Sequence, residues 1–373
     1  MLNLAHIEDF LEPVNPDAIS DDEGYVAGQL GKVLTETPPE KAGVVFVGCN
    51  EYRGAGGKGV GVQSADAIRK QLYKLYCWHT EVPMADLGNI KTGASRKDSL
   101  AAMKAVCREL MDAGKKVIVI GGSHDNTLAQ YQVFADRKQV IEACVVDALL
   151  DLRQDTPIRS ENFLMEMLTG EPNYVKHFNH IAFQSYFVHP NLLETIDKLR
   201  FDCFRVGRVK EHIEEMEPVV RSSHFLSFDI CAIANAFAPA STLSPNGLTG
   251  VEACKLMQYA GMSATVETVG IYGFDASKDR DGLTAMQIAH MLWYYVDGFQ
   301  KQLHEADLDD RNSFNEYYTV CAEVDTLFIQ SKRTGRWWMQ MPDKTFAACT
   351  YADYYAASHN ELPERWLRSQ ERN

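Results

Sequence analysis

Short apolar runs rich in β-branched residues recur along the chain at 44–48, 116–121, 143–147, 180–184, 203–206, 225–230 and 266–273, and runs of this length and composition predict buried strands. Between several of them the apolar positions switch to helical spacing, at 64–76, 99–113, 126–134, 251–260 and 284–302. In the last of these Ala285, Ile288, Ala289, Leu292, Tyr295, Val296 and Phe299 share one helical face. Strand and helix in alternation predict an α/β fold: a mostly parallel central sheet with helices on both sides, three layers in all. After residue 302 the pattern changes. A charged stretch (HEADLDDRN, 304–312) leads to YYTVCAE, TLFIQSK and RWWMQMP, three predicted strands, and then to a predicted helix from Tyr351. The expected organisation is an α/β domain over 1–303 and a small extension over 304–373. Three short strands alone are marginal, so the extension should dock on the core or on a neighbouring subunit. Trp337 and Trp338, flanked by Arg333 and Arg336, read either as a binding surface or as a hairpin that packs one indole on the core.

Three of the predicted strands end in acids or histidine: VIVIGGSHD at 117–125, CVVDALLDLR at 144–153 and FLSFDICAIANAFAPA at 225–240. An ionised Asp at the end of an apolar strand is costly unless it is paired, hydrogen-bonded or bound to a cation. In open α/β sheets ligands collect outside the carboxyl ends of the strands, so His124, Asp147, Asp151 and Asp229 can converge there although they are distant in sequence. An oxygen-rich set with one imidazole suits manganese, magnesium or iron better than a structural zinc. Taken singly, each acid also reads as a helix cap or half of an ion pair.

These segments resemble the ureohydrolases, which comprise arginase, agmatinase and formimidoylglutamase. The family signatures are Gly-Gly-Asp-His, Asp-Ala-His-x-Asp and Ser-x-Asp-x-Asp-x-x-Asp-Pro followed by Ala-Pro-Gly; here they read GGSHD, DALLD and SFDICAIANAFAPA. The resemblance implies an arginase-like fold and a manganese site in which four of six ligands carry over, His124, Asp147, Asp151 and Asp229. Leu149 stands where the family has its second histidine and Cys231 where it has the last aspartate. One half-site is whole and the other broken, so one manganese ion is expected rather than two, with no ion at all as the further alternative and Cys231 as a further ligand should a softer metal be recruited. The glutamate that grips the guanidinium or amidine falls by count on Gly273, leaving Asp275 as its replacement on the same face of the strand. Ser160, Glu161, Asn162 and Phe163 occupy the segment where arginases carry a proton-shuttling histidine. Catalytic roles therefore fall to Asp151 and Asp275. The implied activity is metal-dependent hydrolysis of a carbon–nitrogen bond in a linear amidine or guanidine, of the formimidoylglutamase or arginase type. The alternative is an inactive ureohydrolase-fold protein that binds a ligand or partner. Relatives commonly assemble as homo-oligomers, which is the implied state here.

A literal dinucleotide fingerprint within RGAGGKGVG (53–61) lies too far past its strand to cradle a pyrophosphate, and the same position in the ureohydrolases carries a glycine-rich loop. With 373 residues, 46% of them hydrophobic, the chain can bury a large core. A formal charge of −14 argues against nucleic acid or an anionic membrane as partner. The first residues, MLNLAHIEDFLEPVNPD, lack a basic start and an apolar core, and no long uncharged apolar stretch follows. Nine cysteines with no C-x-x-C pair favour reduced thiols and a cytoplasmic location.

Overall fold

The computed structural model describes residues 2–15, 19–20, 24–57, 63–321 and 324–371. Nine strands form the main sheet: β1 (Leu11–Glu12), β2 (Val44–Cys49), β3 (Met84–Ile90), β4 (Lys116–Ile120), β5 (Ile141–Val146), β6 (Val175–Phe183), β7 (Asp202–Arg205), β8 (Phe225–Asp229) and β9 (Thr268–Tyr272). Their order is β1-β3-β2-β4-β9-β8-β5-β6-β7. Every pairing is parallel except β1 with β3. The strand period of two distributes each run over both faces: Val44, Phe46, Ile118, Ile120, Leu226 and Phe228 enter one core, and Val45, Val47, Val117, Val119 and Phe225 the other. Both faces are covered by helices, which is why these strands are mostly apolar.

The seven predicted strands are present within a few residues, and the arginase-like three-layer α/β arrangement holds. The sequence pattern missed β3. Its Asp86 and Asn89 read as turn residues, yet they are buried because Arg69, with no exposed side-chain surface, bonds Asp86 at 2.9 Å and Asn89 at 2.5 Å. The helices at Arg96–Asp112 and Gly250–Gly261 begin before their apolar stripes, because capping boxes at Ser95/Asp98 and Thr249/Glu252 satisfy the first free N–H groups.

The extension is a four-stranded antiparallel sheet rather than three strands: β10 (Phe314–Cys321), β11 (Val324–Ser331), β12 (Trp337–Gln340) and β13 (Phe346–Cys349) in that order. Residues 322–323 of the first predicted run, and 58–62 of the glycine-rich loop, lie outside the described residues. The predicted helix from Tyr351 spans Tyr351–Ser358. Both tryptophans are buried. Trp337 stacks on Tyr354 with ring centroids 5.1 Å apart, and the Trp338 indole lies between the guanidinium groups of Arg221 at 4.3 Å and Arg336 at 5.5 Å. Arg221 donates to Trp337 O at 3.0 Å and Arg336 to Met262 O at 2.5 Å, so the extension is fastened to the core through arginines. A cleft of about 1160 Å³ remains between the two, near the amino ends of β5, β6, β8 and β9. None of the predicted site residues lines it. Among the described residues no helix is long and apolar enough to cross a membrane, and all nine cysteines are free.

Candidate metal centre

Parallel strands deliver their carboxyl ends to one edge, and three of those ends carry the predicted ligands. After β4 the chain turns through Gly121 and Gly122, at φ +88° and +86°, where a side chain would meet Cys49 O at 2.6 Å and Asn126 Nδ2 at 2.3 Å. That turn places His124 at the head of a short 3-10 turn. Asp147 follows β5 directly, and Asp229 is the last residue of β8. Ligand atoms of His124, Asp147 and Asp229 all lie within 4.8 Å of one another. The imidazole Nδ1 is 2.9 Å from Asp147 Oδ2, 2.9 Å from Asp151 Oδ2 and 3.7 Å from Asp229 Oδ2. All four residues are buried.

The far side of the imidazole is held by two hydroxyls that the sequence reading did not single out. Thr127 Oγ1 donates to His124 O at 2.7 Å and lies 2.6 Å from Ser227 Oγ, which is 3.0 Å from His124 Nε2. With the Thr127 proton committed to the carbonyl, Ser227 must donate to Thr127 and accept from Nε2–H. Nδ1 is thereby the nitrogen that faces the carboxylates. Their signal in the sequence was present but weak: Ser227 lies two residues before Asp229 on the same strand, and Thr127 one helical turn after His124. Beneath Asp147, fully buried His180 makes an Nε2 contact of 3.1 Å with the Asp147 carbonyl, and burial drops its pKa to about 4.

Electrostatics fit a cation here. Burial and the Asp147 charge push Asp151 well above the usual carboxylate range, and the same two causes raise Asp229 to about 6. Asp147 is lowered in spite of burial because it bonds His124. Burial opposes protonation of His124, but its bonds to Asp147 and Asp151 and the nearby Asp229 charge outweigh that and raise it well above an ordinary imidazole. Two carboxylates, Asp147 and Asp229, against one imidazolium still leave negative charge uncompensated in a buried place, and the oxygen-rich donor set that includes Asp151 matches a divalent ion of the manganese type.

The remaining predicted site residues are placed differently. Cys231 reaches the cluster, with its Sγ 2.7 Å from Asp147 Oδ1; burial and the charges of Asp147 and Asp229 raise its thiol well above the usual range. Asp275 caps its own turn, bonded to Ser277 N at 3.1 Å, Ser277 Oγ at 2.6 Å and Lys278 at 3.3 Å. Among the described residues it has no hydrogen bond or ion pair to the four clustered residues. Gly273 sits at φ +78°, and a Cβ there would meet the Asp229 carboxylate at 2.6 Å. The Arg159–Glu161 turn packs beside the His124–Asn126 turn and brings no histidine.

Comparison with known proteins gives the chain's family and fold. The sequence profile of the arginase family matches residues 42–296. The chain is 24% identical over 309 residues to a formimidoylglutamase of Vibrio cholerae, covering 74% of this chain and 88% of that protein. It is 24% identical over 247 residues to one of Staphylococcus haemolyticus, covering 62% and 77%. Among solved structures, the formiminoglutamase of Trypanosoma cruzi with Mn2+ superposes with a TM-score of 0.67 at 18% identity, covering 73% of this chain and 98% of that one. The agmatine ureohydrolase of Thermoplasma volcanium gives 0.60 at 22% identity, covering 74% and 94%. The structural likenesses establish the fold, and a family match over 42–296 of 373 residues establishes descent: the chain belongs to the arginase family.

Proposed function

We propose that this chain is a manganese-dependent hydrolase of a carbon–nitrogen bond in a linear amidine or guanidine, closest in type to formimidoylglutamase, with a single ion held by His124, Asp147, Asp151 and Asp229. The observation that carries this reading is the convergence of three carboxylate oxygens on one imidazole nitrogen at the carboxyl edge of the sheet. Bound there, a divalent ion lowers the pKa of water and polarises the attacked group. Ser227 and Thr127 keep the imidazole turned toward the carboxylates. To Asp151, ionised when it serves as a ligand, we assign acceptance of a proton from the attacking water and its delivery to the departing nitrogen. To Asp275 we assign the amidine grip, which requires it to release Ser277 and Lys278.

A second reading, an inactive member that keeps the fold and binds a ligand or partner, is favoured by Leu149, Cys231 and Gly273, since residues that act as a unit lose activity together. The two readings separate in one experiment. Purified protein is loaded with manganese, dialysed and assayed for metal, then for ammonia, formamide or urea release from N-formimidoylglutamate, arginine and agmatine. One ion per chain with turnover on any of the three supports the hydrolase; tight metal binding without turnover on a wider amidine panel supports the second reading.

Two further outcomes are expected. Ser227→Ala, which removes the acceptor of Nε2–H, should weaken manganese binding by roughly 10–100-fold, the usual cost of losing an outer-sphere partner; an unchanged dissociation constant in a manganese titration would refute the orienting role. Manganese should also bind more weakly as pH falls, because it competes with protons on His124 and Asp151 and, through about 6, on Asp229 as well. The metal-free fold behaves oppositely at this residue. A carboxyl raised from 3.8 to about 6 contributes stability that is complete below 3.8 and lost as pH rises through about 6. The gap in melting temperature between loaded and metal-free protein should therefore widen with rising pH across that window, and a constant gap would count against the assignment.

A further inference from the structure

The extension begins with a strand that has a neighbour on one side only. In the order β10-β11-β12-β13, β10 is an outer strand, and it pairs with β11 from Phe314↔Ser331 to Cys321↔Val324 without a bulge. Which backbone groups that pairing uses follows from one bond: Lys332 N donates to Ser313 O at 3.0 Å. Hydrogen-bonded pairs alternate along an antiparallel ladder, so Asn315, Tyr317, Thr319 and Cys321 bond to β11, while the N–H and C=O groups of Glu316, Tyr318 and Val320 point away from it. Among the described residues nothing bonds those outward groups. The side chains beside them are open too, with Tyr318 75% and Val320 64% exposed. Open edges in proteins carry guards: a proline, a lysine, a bulge or sheer shortness. The other edge strands β1, β7 and β13 are two, four and four residues long. β10 has eight residues, FNEYYTVC, with neither proline nor lysine. Its one charge, Glu316, accepts from Arg311 Nε at 2.8 Å and from the Tyr318 hydroxyl at 2.7 Å.

From this we infer that β10 is an interface strand, and that it pairs with β10 of a second copy of this chain, antiparallel across a two-fold axis, with Tyr318 opposite its own counterpart. Charge selects this occupant and this register. Glu316 then faces Val320 of the other copy, which keeps the two Glu316 carboxylates about 13 Å apart along the strands. The Arg311 guanidinium, held at the level of Glu316, comes to the same end of the seam as the other copy's exposed Asp325, which stands beside Val320 on β11. A parallel pairing would set each of these charges beside its own kind, and a shift by one residue would oppose outward groups to groups already bonded to β11. The two four-stranded sheets become one of eight strands. Every residue of the seam belongs to the extension, so the inference is independent of the metal centre and of the proposed function.

Sedimentation velocity and cross-linking on the whole chain test it. Wild type should sediment as an even-numbered assembly. Tyr318→Pro removes an N–H that β11 does not use, at a position where an edge strand accepts proline, and should halve the mass of that assembly. Both hydrogen bonds across the axis are lost with it, so the dissociation constant of the seam should rise by about 100-fold or more. Val320→Lys leaves the backbone untouched and should act in the same direction by placing a charge on the edge. Tyr318→Cys sets two thiols across the axis, where the Cα atoms of a hydrogen-bonded pair are about 5.5 Å apart, and should give a covalent dimer on mild oxidation; Thr319→Cys should not. Thermal melts report whether each variant is folded, and should Tyr318→Pro melt early, Val320→Lys and the cross-link decide. A monomeric wild type, which would leave the edge to a different protein, overturns the inference. An assembly whose mass survives both substitutions, or a Tyr318→Cys chain that does not cross-link, overturns it as well.

Discussion

Asp229→Ala is expected to abolish manganese binding, raising the dissociation constant by at least about 100-fold, on the order of 3 kcal/mol. Asp229 ends β8 with one oxygen fixed by Cys231 N and the other turned toward His124, so its loss removes a carboxylate from the centre and frees the turn that follows. The same change should not lower the stability of the metal-free fold at neutral pH. There the Asp229 carboxylate is buried against Asp147, and burial with that charge holds its pKa near 6, so removing it relieves repulsion. Lost metal binding with an unchanged or raised metal-free melting temperature is the expected pair of results. Retention of manganese at full affinity would show that the ligand set is wrong, and a collapsed melting temperature would show that Asp229 serves packing.

Why these acids were legible in the sequence, and other parts were not, follows from where the free energy lies. A strand buried on both faces must be mostly apolar, so β2, β4, β5, β8 and β9 stand out as runs, and an acid at the end of such a run is costly enough to signal a partner. The polar interior of β3 hides because its compensation is tertiary: Arg69 arrives from a helix and makes Asp86 and Asn89 compatible with burial. His177 and Asn179 in β6 do the same by bonding each other at 3.1 Å, which pushed the predicted start of that strand to residue 180. At the site, residue types announced His124 and the aspartates, whereas Ser227 and Thr127 are unremarkable until the fold sets them under the imidazole. Cys231 was visible as a substitution in a motif, but its approach to Asp147, Sγ to Oδ1 at 2.7 Å, is a tertiary contact that no spacing encodes.

Gly273→Ala should destabilise the protein by about 2–4 kcal/mol, and Gly273→Glu, which would install the family's amidine-gripping acid, by more. The residue sits at φ +78°, and a Cβ there would lie 2.6 Å from both Asp229 carboxylate oxygens. Backbone strain accounts for only about 1 kcal/mol of the expected loss. The rest comes from displacing Asp229, which is buried and linked through Cys231 to Asp147, so manganese affinity should fall together with stability. Gly114 isolates the two contributions: its φ is +74°, yet a Cβ there meets nothing within 4 Å, so Gly114→Ala should show the backbone cost alone and leave manganese binding intact. Denaturant midpoints and manganese titrations on the two alanine variants make the comparison. Equal losses at both positions, with metal binding preserved in Gly273→Ala, would mean that Asp229 has room to move. The expected inequality would mean that the glutamate cannot be regained by one substitution, because the space it would need is held by the aspartate on which the metal centre depends.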